Sequence, residues 1–313
     1  MNKVLHQSRF LKSPTGDLID LLGKEKRCPA CTKQNPGAVI YDFGNFKIVK
    51  CKACGVLYLT PIPNIAILNQ LYNVNYYRDD SQEHGYSDYD ADKTQIVRSY
   101  LRRLYLLNKA IMAREKTSLK RIHEVGCAFG FGLSATKKVF SDAWVTGSDV
   151  SDEAVVETIA KGFDAEKCDP WGCSSAPEDG TAELLYLFDV IEHLPDIPIF
   201  REWAAKKLCA GGYLALTTPN MHNWLNMILG KRSPSIKIPQ HIVYFSSITL
   251  ERALCPEFSI EQQWVDAQYI GIGPLINRIL HILNFSPIAT IEKCRWSLMM
   301  PNGMELYLFK KNG

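Results

Sequence analysis

What this sequence lacks narrows it first. Lys and Arg outnumber Asp and Glu by only 36 to 33 over 313 residues, a net charge of +3. No global basic excess marks a nucleic-acid binder. No apolar run approaches the ~18 residues that cross a bilayer. The most apolar stretch, "PLINRILHILNF", is interrupted by Asn277, Arg278 and His281 and reads as a packed amphipathic helix. The opening "MNKVLHQSRFLKSPTGD" lacks the apolar core and small-residue cleavage site of a secretory leader. Internal repeats and low-complexity tracts are missing too. These absences point to a globular, cytoplasmic chain that needs no membrane. At roughly 100–200 residues per domain, it has length for about two.

Of the ten cysteines, four are patterned: Cys28, Cys31, Cys51 and Cys54 form C-x2-C…C-x2-C. Two such knuckles suit tetrahedral thiolate coordination of zinc, and four thiolates leave no open position for chemistry, so the metal would be structural. The residues between read as two short strands around "FGN". A segment this small buries little apolar surface, so the metal would supply much of its folding free energy. The other six cysteines show no ligand spacing, and without a leader a reducing compartment suits them better than disulfides.

From residue 60 to 120 the chain holds a short helix, the polar, tyrosine-rich "RDDSQEHGYSDYDADK", and a long amphipathic helix carrying Ile96, Tyr100, Leu104 and Leu107 at helical spacing. Strand and helix patterns then alternate: "RIHEVGC", "GLSATKKVF", "AWVTGSDVS", "DEAVVETIAKGF", "TAELLYLFDVIEHL", "PIFREWAAKKLCAGG" (a helix stopped by glycine) and "YLALTTPN", with "GMELYLFKKNG" as a last strand. This βαβ succession predicts an α/β, doubly wound, mainly parallel Rossmann-like sheet with ligands at the carboxyl ends of its strands. The expected organisation is a zinc ribbon and leader over 1–60, a helical lid over 61–120 and a catalytic domain over 121–313.

The turn in "RIHEVGCAFGFGLSA" admits two cofactors. Read from Gly130 it is Gly-x-Gly-x-x-Ala, a dinucleotide fingerprint that would make the chain a nicotinamide oxidoreductase. Read from Glu124 it places the acid at the strand end with Gly126, Ala128 and Gly130 in the turn, as S-adenosylmethionine requires. Asp149, ending the next strand, suits ribose hydroxyls in either case. The second register is favoured because the first glycine then follows the strand directly.

"HEVGCAFGFG", "GSDVS", "LFDVIEHLPD" and "AGGYLALTTPN", in that order, resemble the motifs of class I S-adenosylmethionine-dependent methyltransferases over residues 121–255. "CPAC…VKCKACGVLYLTPIP…LYNVNYY" resembles the zinc-ribbon leader of a narrower group that includes methyltransferases of surface glycans and antibiotic deoxysugars. The resemblance implies that Glu124, Gly126, Ala128 and Gly130 shape the donor pocket. Asp149 and Val150 would hold the ribose side, and Phe188 and Asp189 would lie near the sulfonium. Tyr76 and Tyr77 would close over the donor. Ala128 departs from the usual glycine, a steric cost if that residue needs positive φ.

Methyl transfer leaves a proton to remove from the acceptor, a task suited to histidine. His193, His222 and His241 fall on the correct side of the sheet. His241, before "VYFSSITLERAL", is the expected base. In the resembling deoxysugar enzymes a Glu-His pair serves, whereas Gln240 precedes the histidine here. His241 as a mere loop hydrogen-bonder is the alternative. Asn220, Gln240 and Tyr244 flank the expected acceptor site, and Lys231, Arg232 and Lys237 suit a phosphate or diphosphate handle.

The expected function is methyl transfer from S-adenosylmethionine to a small acceptor, a sugar or sugar nucleotide. The alternatives are an RNA acceptor presented by the ribbon, or a non-catalytic S-adenosylmethionine-binding protein. Residues 256–300 carry no readable motif and would either cover the acceptor or join two copies in a homodimer.

Overall fold

Leu184–Phe188 is apolar at every position, the pattern of a strand covered on both faces, and around it the chain builds its sheet. The computed structural model describes residues 27–34, 36–64, 68, 93–273, 275–276, 280, 285–286, 288 and 296–313. Tyr76, Tyr77, Cys294 and most of "PLINRILHILNF" lie outside them.

The large sheet has seven strands. Five are parallel: β4 (Arg121–Val125), β5 (Trp144–Asp149), β6 (Asp164–Lys167), β7 (Ala182–Phe188) and β8 (Leu208–Pro219). The antiparallel hairpin of β10 (Phe258–Gly271) and β11 (Ser297–Lys311) extends it, giving the order β10-β11-β8-β7-β4-β5-β6. This is the doubly wound, mainly parallel fold that the alternating pattern predicts. The hairpin takes up both ends of the stretch without a readable motif, and the last strand begins well before "GMELYLF".

The helices pack by their apolar stripes. The long helix α1 (Lys93–Glu115) buries Tyr100, Leu104, Leu107 and Ile111 against Ile122, Leu133, Leu184 and Tyr186. Helix α2 (Phe131–Val139) follows the glycine turn. Helix α3 (Asp152–Ala160) is capped by Ser151, and α4 (Ile197–Lys207) by Asp196, whose Oδ1 accepts the Ile199 amide at 3.3 Å. One local expectation fails. The "AGG" read as a helix stop lies inside β8, because α4 already ends at Lys207. Gly211, at φ 71°, provides a left-handed residue in the strand, and such a glycine signals a helix stop or an irregular strand equally well.

The cysteine-bearing segment forms a second sheet of β1 (Pro36–Asp42), β2 (Lys47–Cys51), β3 (Leu57–Thr60) and β9 (Val243–Tyr244), in that order. The last strand comes from beyond the parallel sheet: Leu57 pairs with Tyr244 and Tyr58 with Val243. Phe46, Ile48 and Leu59 of the ribbon share one apolar cluster with Leu185, Phe200 and Ile242. The ribbon therefore abuts the turns at the carboxyl ends of β7 and β8.

Candidate active site

The glycine turn after β4 bends three times through the left-handed region, at Gly126 (φ 76°), Ala128 (φ 45°) and Gly130 (φ 73°). A Cβ on Gly126 would collide with Val190, which explains that glycine sterically. Ala128 adopts the conformation for which glycine is usual and is held in it from both sides. Its amide donates to Asp149 Oδ2 at 2.8 Å, and its carbonyl accepts Thr158 Oγ1 at 2.8 Å. Asp149 also accepts the Ser151 amide at 2.9 Å, so one carboxylate ties the turns after β4 and β5 together. Val150 is half-buried between them.

Glu124, next to last in β4, is fully buried, and neither carboxylate oxygen has a partner in hydrogen-bond geometry among the described residues. Burial, and then the charge of Asp149, push its carboxyl up to about 8, although the nearby hydroxyls of Tyr186 and Tyr100 pull the other way. Added to Gly132, a Cβ would strike this carboxylate, so Glu124 lies against the first turn of α2. An orphaned buried acid beside a glycine-containing turn fits a cationic ligand with an amino-acid portion, which S-adenosylmethionine has.

Phe188 packs between Tyr100 and Tyr186, with ring centroids 5.3 and 4.9 Å away. The next residue, Asp189, has φ 61° and accepts three donors: Arg103 Nη1 (3.3 Å) and Gln268 Nε2 (3.2 Å) on Oδ2, and Thr217 Oγ1 (2.7 Å) on Oδ1. Sequence reasoning missed Arg103, Gln268 and Thr217. The one available signal was a charged residue at 103 on the apolar face of α1.

Beyond β7, a single 3-10 turn (Ile191–His193) carries Glu192 and His193 to the loop ending in His241. The two imidazoles meet edge to face, 4.8 Å between centroids. Each donates Nδ1–H to a backbone carbonyl: His193 to Gln240 at 3.0 Å and His241 to Ser235 at 2.8 Å. In their neutral forms the lone pair then sits on Nε2. Burial, followed by Lys237, lowers His193 to about 4; burial, followed by His193 and Lys237, lowers His241 well below the usual range. Gln240 Nε2 and the Tyr244 hydroxyl are buried here without a hydrogen-bond partner among the described residues.

His222 does not join them; it is exposed, and its amide bonds to Asn220 Oδ1 at 2.9 Å. Asn220 is buried and donates to Glu305 Oε1 at 2.9 Å. The same carboxylate accepts Ser247 Oγ (3.1 Å), Gln263 Nε2 (2.6 Å) and the Tyr307 hydroxyl, a polar wall beside the end of β8. Lys231, Arg232 and Lys237 are exposed along the loop that leads to His241.

In the ribbon, the four patterned cysteines converge, with Sγ atoms all within 4.8 Å of one another. Cys28–Cys54 and Cys31–Cys51 are 3.6 and 3.7 Å apart. Tetrahedral zinc thiolates with ~2.3 Å bonds have edges of about 3.8 Å, so the donor set fits that ion. Matching backbone bonds shape the knuckles, Thr32 N to Cys28 O and Gly55 N to Cys51 O, with Thr32 and Gly55 both at positive φ.

Comparison with known proteins adds the family. No curated protein matches this chain. Among solved structures it is similar to an S-adenosylmethionine-dependent methyltransferase from Thermotoga maritima, 14% identical, covering 78% of this chain and 100% of that one at a TM-score of 0.49. Another, from Mesorhizobium loti, is 16% identical and covers 62% of this chain and 91% of that one at a TM-score of 0.41. The family model described as a methyltransferase domain matches residues 97–255, just over half of the chain and the part that carries the glycine turn, Asp149, Asp189, His193 and His241. The chain therefore belongs to that methyltransferase family.

Proposed function

We propose that this enzyme methylates a small hydroxylated or carbonyl-bearing acceptor, a sugar or sugar nucleotide, with His241 as general base. The observation that carries this reading is the pair of half-buried His193 and buried His241 beside Asp189, flanked by the Asn220–Glu305 wall and the cationic loop of Lys231, Arg232 and Lys237. A polyhydroxylated ring needs such a density of fixed donors and acceptors, and a diphosphate needs cations.

S-adenosylmethionine supplies a methyl group on a positively charged sulfur. The residues that fit it are Glu124, the backbone of Gly126–Gly130, Asp149 and Phe188. Glu124, orphaned and buried, would receive the ammonium group, and the turn would let backbone approach closely. The protein's remaining work is positioning and proton removal. A neutral His241 with its proton on Nδ1 offers Nε2 as the acceptor of that proton. Zinc in the Cys28–Cys31–Cys51–Cys54 site would hold the ribbon whose sheet includes β9, and Tyr244 on β9 stands 6.2 Å from the His241 ring.

The test is formation of S-adenosylhomocysteine from S-adenosylmethionine with a panel of nucleoside-diphosphate sugars, free sugars and short RNAs. Turnover on sugar nucleotides that is lost in His241→Gln is expected. Turnover on RNA alone would overturn the acceptor, and full activity of His241→Gln would overturn the base.

A further inference from the structure

Glu192 has no task in the chemistry described so far, yet it is the most deeply placed acid near the proposed base. It is 2% exposed, and its Oε2 accepts Thr218 Oγ1 at 3.1 Å. One carboxylate oxygen and one ring nitrogen from each of His193 and His241 lie within 4.8 Å of one another. Two bonds lock this arrangement across separate elements: the Ile242 amide to the Glu192 carbonyl at 2.8 Å, and His193 Nδ1 to the Gln240 carbonyl at 3.0 Å.

A buried histidine that takes a proton becomes a buried cation, which is costly without an opposite charge. The residue preceding His241 in the chain, Gln240, is neutral. The charged and titratable groups acting on the cluster come from several elements. Lys237, on the loop, disfavours a histidinium at His193 and His241. Asp189, after β7, favours one at His193 and disfavours the Glu192 carboxylate. Tyr244, on β9, faces His241. Among the described residues, Glu192 is the acid whose carboxylate oxygen lies within 4.8 Å of a nitrogen of each ring.

We propose that Glu192 is the positioning residue that supplies the counter-charge for the proton His241 removes from the acceptor; this rests on the reading of His241 as base. The methyl group passes from the donor sulfur to the acceptor atom. The acceptor's proton goes to the His241 ring, and the ring's positive charge is balanced by the Glu192 carboxylate until the proton leaves to solvent. Burial, and then Asp189, raise the Glu192 carboxyl to about 8. Its carboxylate form gains population as pH rises through that value, and the two rings within 4.8 Å then face a new negative charge.

The experiment uses the full chain labelled with 15N-histidine and saturated with S-adenosylhomocysteine, its ring nitrogen shifts followed through the neutral and alkaline range. A step near pH 8 is expected in the rings of His193 and His241, which lie within 4.8 Å of the Glu192 carboxylate. Glu192→Gln should abolish the step and Glu192→Asp should keep it. If Glu192→Gln does not fold, Thr218→Val must move the step to higher pH, because it removes a hydrogen bond that favours the carboxylate. A step that survives in Glu192→Gln, or rings that titrate only after a chelator has removed a bound cation, overturns the proposal. Kinetics on a sugar nucleotide from the panel separate the two readings. Loss of kcat in His241→Gln with kcat intact in Glu192→Gln would remove only the role of Glu192; intact kcat in His241→Gln would remove the base itself.

Discussion

Arg103 on α1 and Asp266 on β10 form a buried ion pair, Nη2 to Oδ2 at 2.6 Å, with side-chain exposures of 1% and 0%. The same guanidinium lies over Phe188 and reaches Asp189, and Arg102 adds a second contact to Asp266 at 3.1 Å. Burial alone would lower the Arg103 pKa, but Asp189 and Asp266 more than reverse that, so the guanidinium stays charged. Arg103→Met would leave Asp266 facing Arg102 alone, and losing one partner of a buried pair costs about 3–5 kcal/mol. Urea unfolding should show a loss of that size, with much of it restored in Arg103→Met/Asp266→Leu. An additive double mutant would mean that the two residues do not act as a pair.

This network also marks where the sequence ceases to be legible. The alternation of strand and helix periods locates the parallel sheet and the ends of its strands, because burial of each face is a local property of the pattern. The cysteine spacing likewise foretells that four thiols meet. Arg103 is visible as a charge on the Tyr100–Leu104–Leu107 face, but its partner lies 163 residues away on a strand without a motif. Glu192 stands beside His193 in the chain, yet its relation to His241 depends on the Ile242 amide bonding to the Glu192 carbonyl across separate elements. Tertiary pairings of this kind leave no local period to read.

Ala128 gives a stability prediction with a fixed sign. At φ 45° it carries the left-handed cost of an L-residue, roughly 1–2 kcal/mol. Ala128→Gly relieves that strain while keeping the amide to Asp149 and the carbonyl to Thr158, and a more flexible unfolded chain takes back part of the gain. The expected net is a gain of about 1 kcal/mol in chemical denaturation, with S-adenosylhomocysteine affinity unchanged. A destabilised variant would show that the two hydrogen bonds already pay for the strain.

Glu124 sets a pH dependence. Its carboxyl is raised from 4.5 to about 8, so the folded chain keeps a proton that the unfolded chain releases. This contribution to stability is fully present below pH 4.5 and is lost as pH rises towards 8. Glu124→Gln removes it. The difference in unfolding free energy, wild type minus variant, should therefore fall by about 1.4 kcal/mol per pH unit inside that window. If the donor's ammonium group sits at Glu124, binding S-adenosylhomocysteine near neutral pH releases a proton. Calorimetry in buffers of different ionisation enthalpy reads that release directly, and Glu124→Gln should show neither the release nor full affinity.

Metal removal tests the ribbon and its link to the acceptor side together. The proposed zinc would be closed off by four thiolates, so it can act on catalysis only through the fold. The β1–β3 segment shares its sheet with β9, and β9 carries Tyr244 next to His241. Cys28→Ser, or prolonged chelation, should reduce bound zinc from one equivalent to none and lower the melting temperature. S-adenosylhomocysteine should still bind, because Glu124, Asp149 and the glycine turn belong to the parallel sheet. Turnover of the acceptor should fall with the zinc content, since freeing β3 takes away the strand that pairs with Val243 and Tyr244. If zinc is lost while turnover on the sugar-nucleotide panel stays intact, the ribbon does not support the acceptor site; if donor binding is lost as well, the ribbon holds up the whole fold.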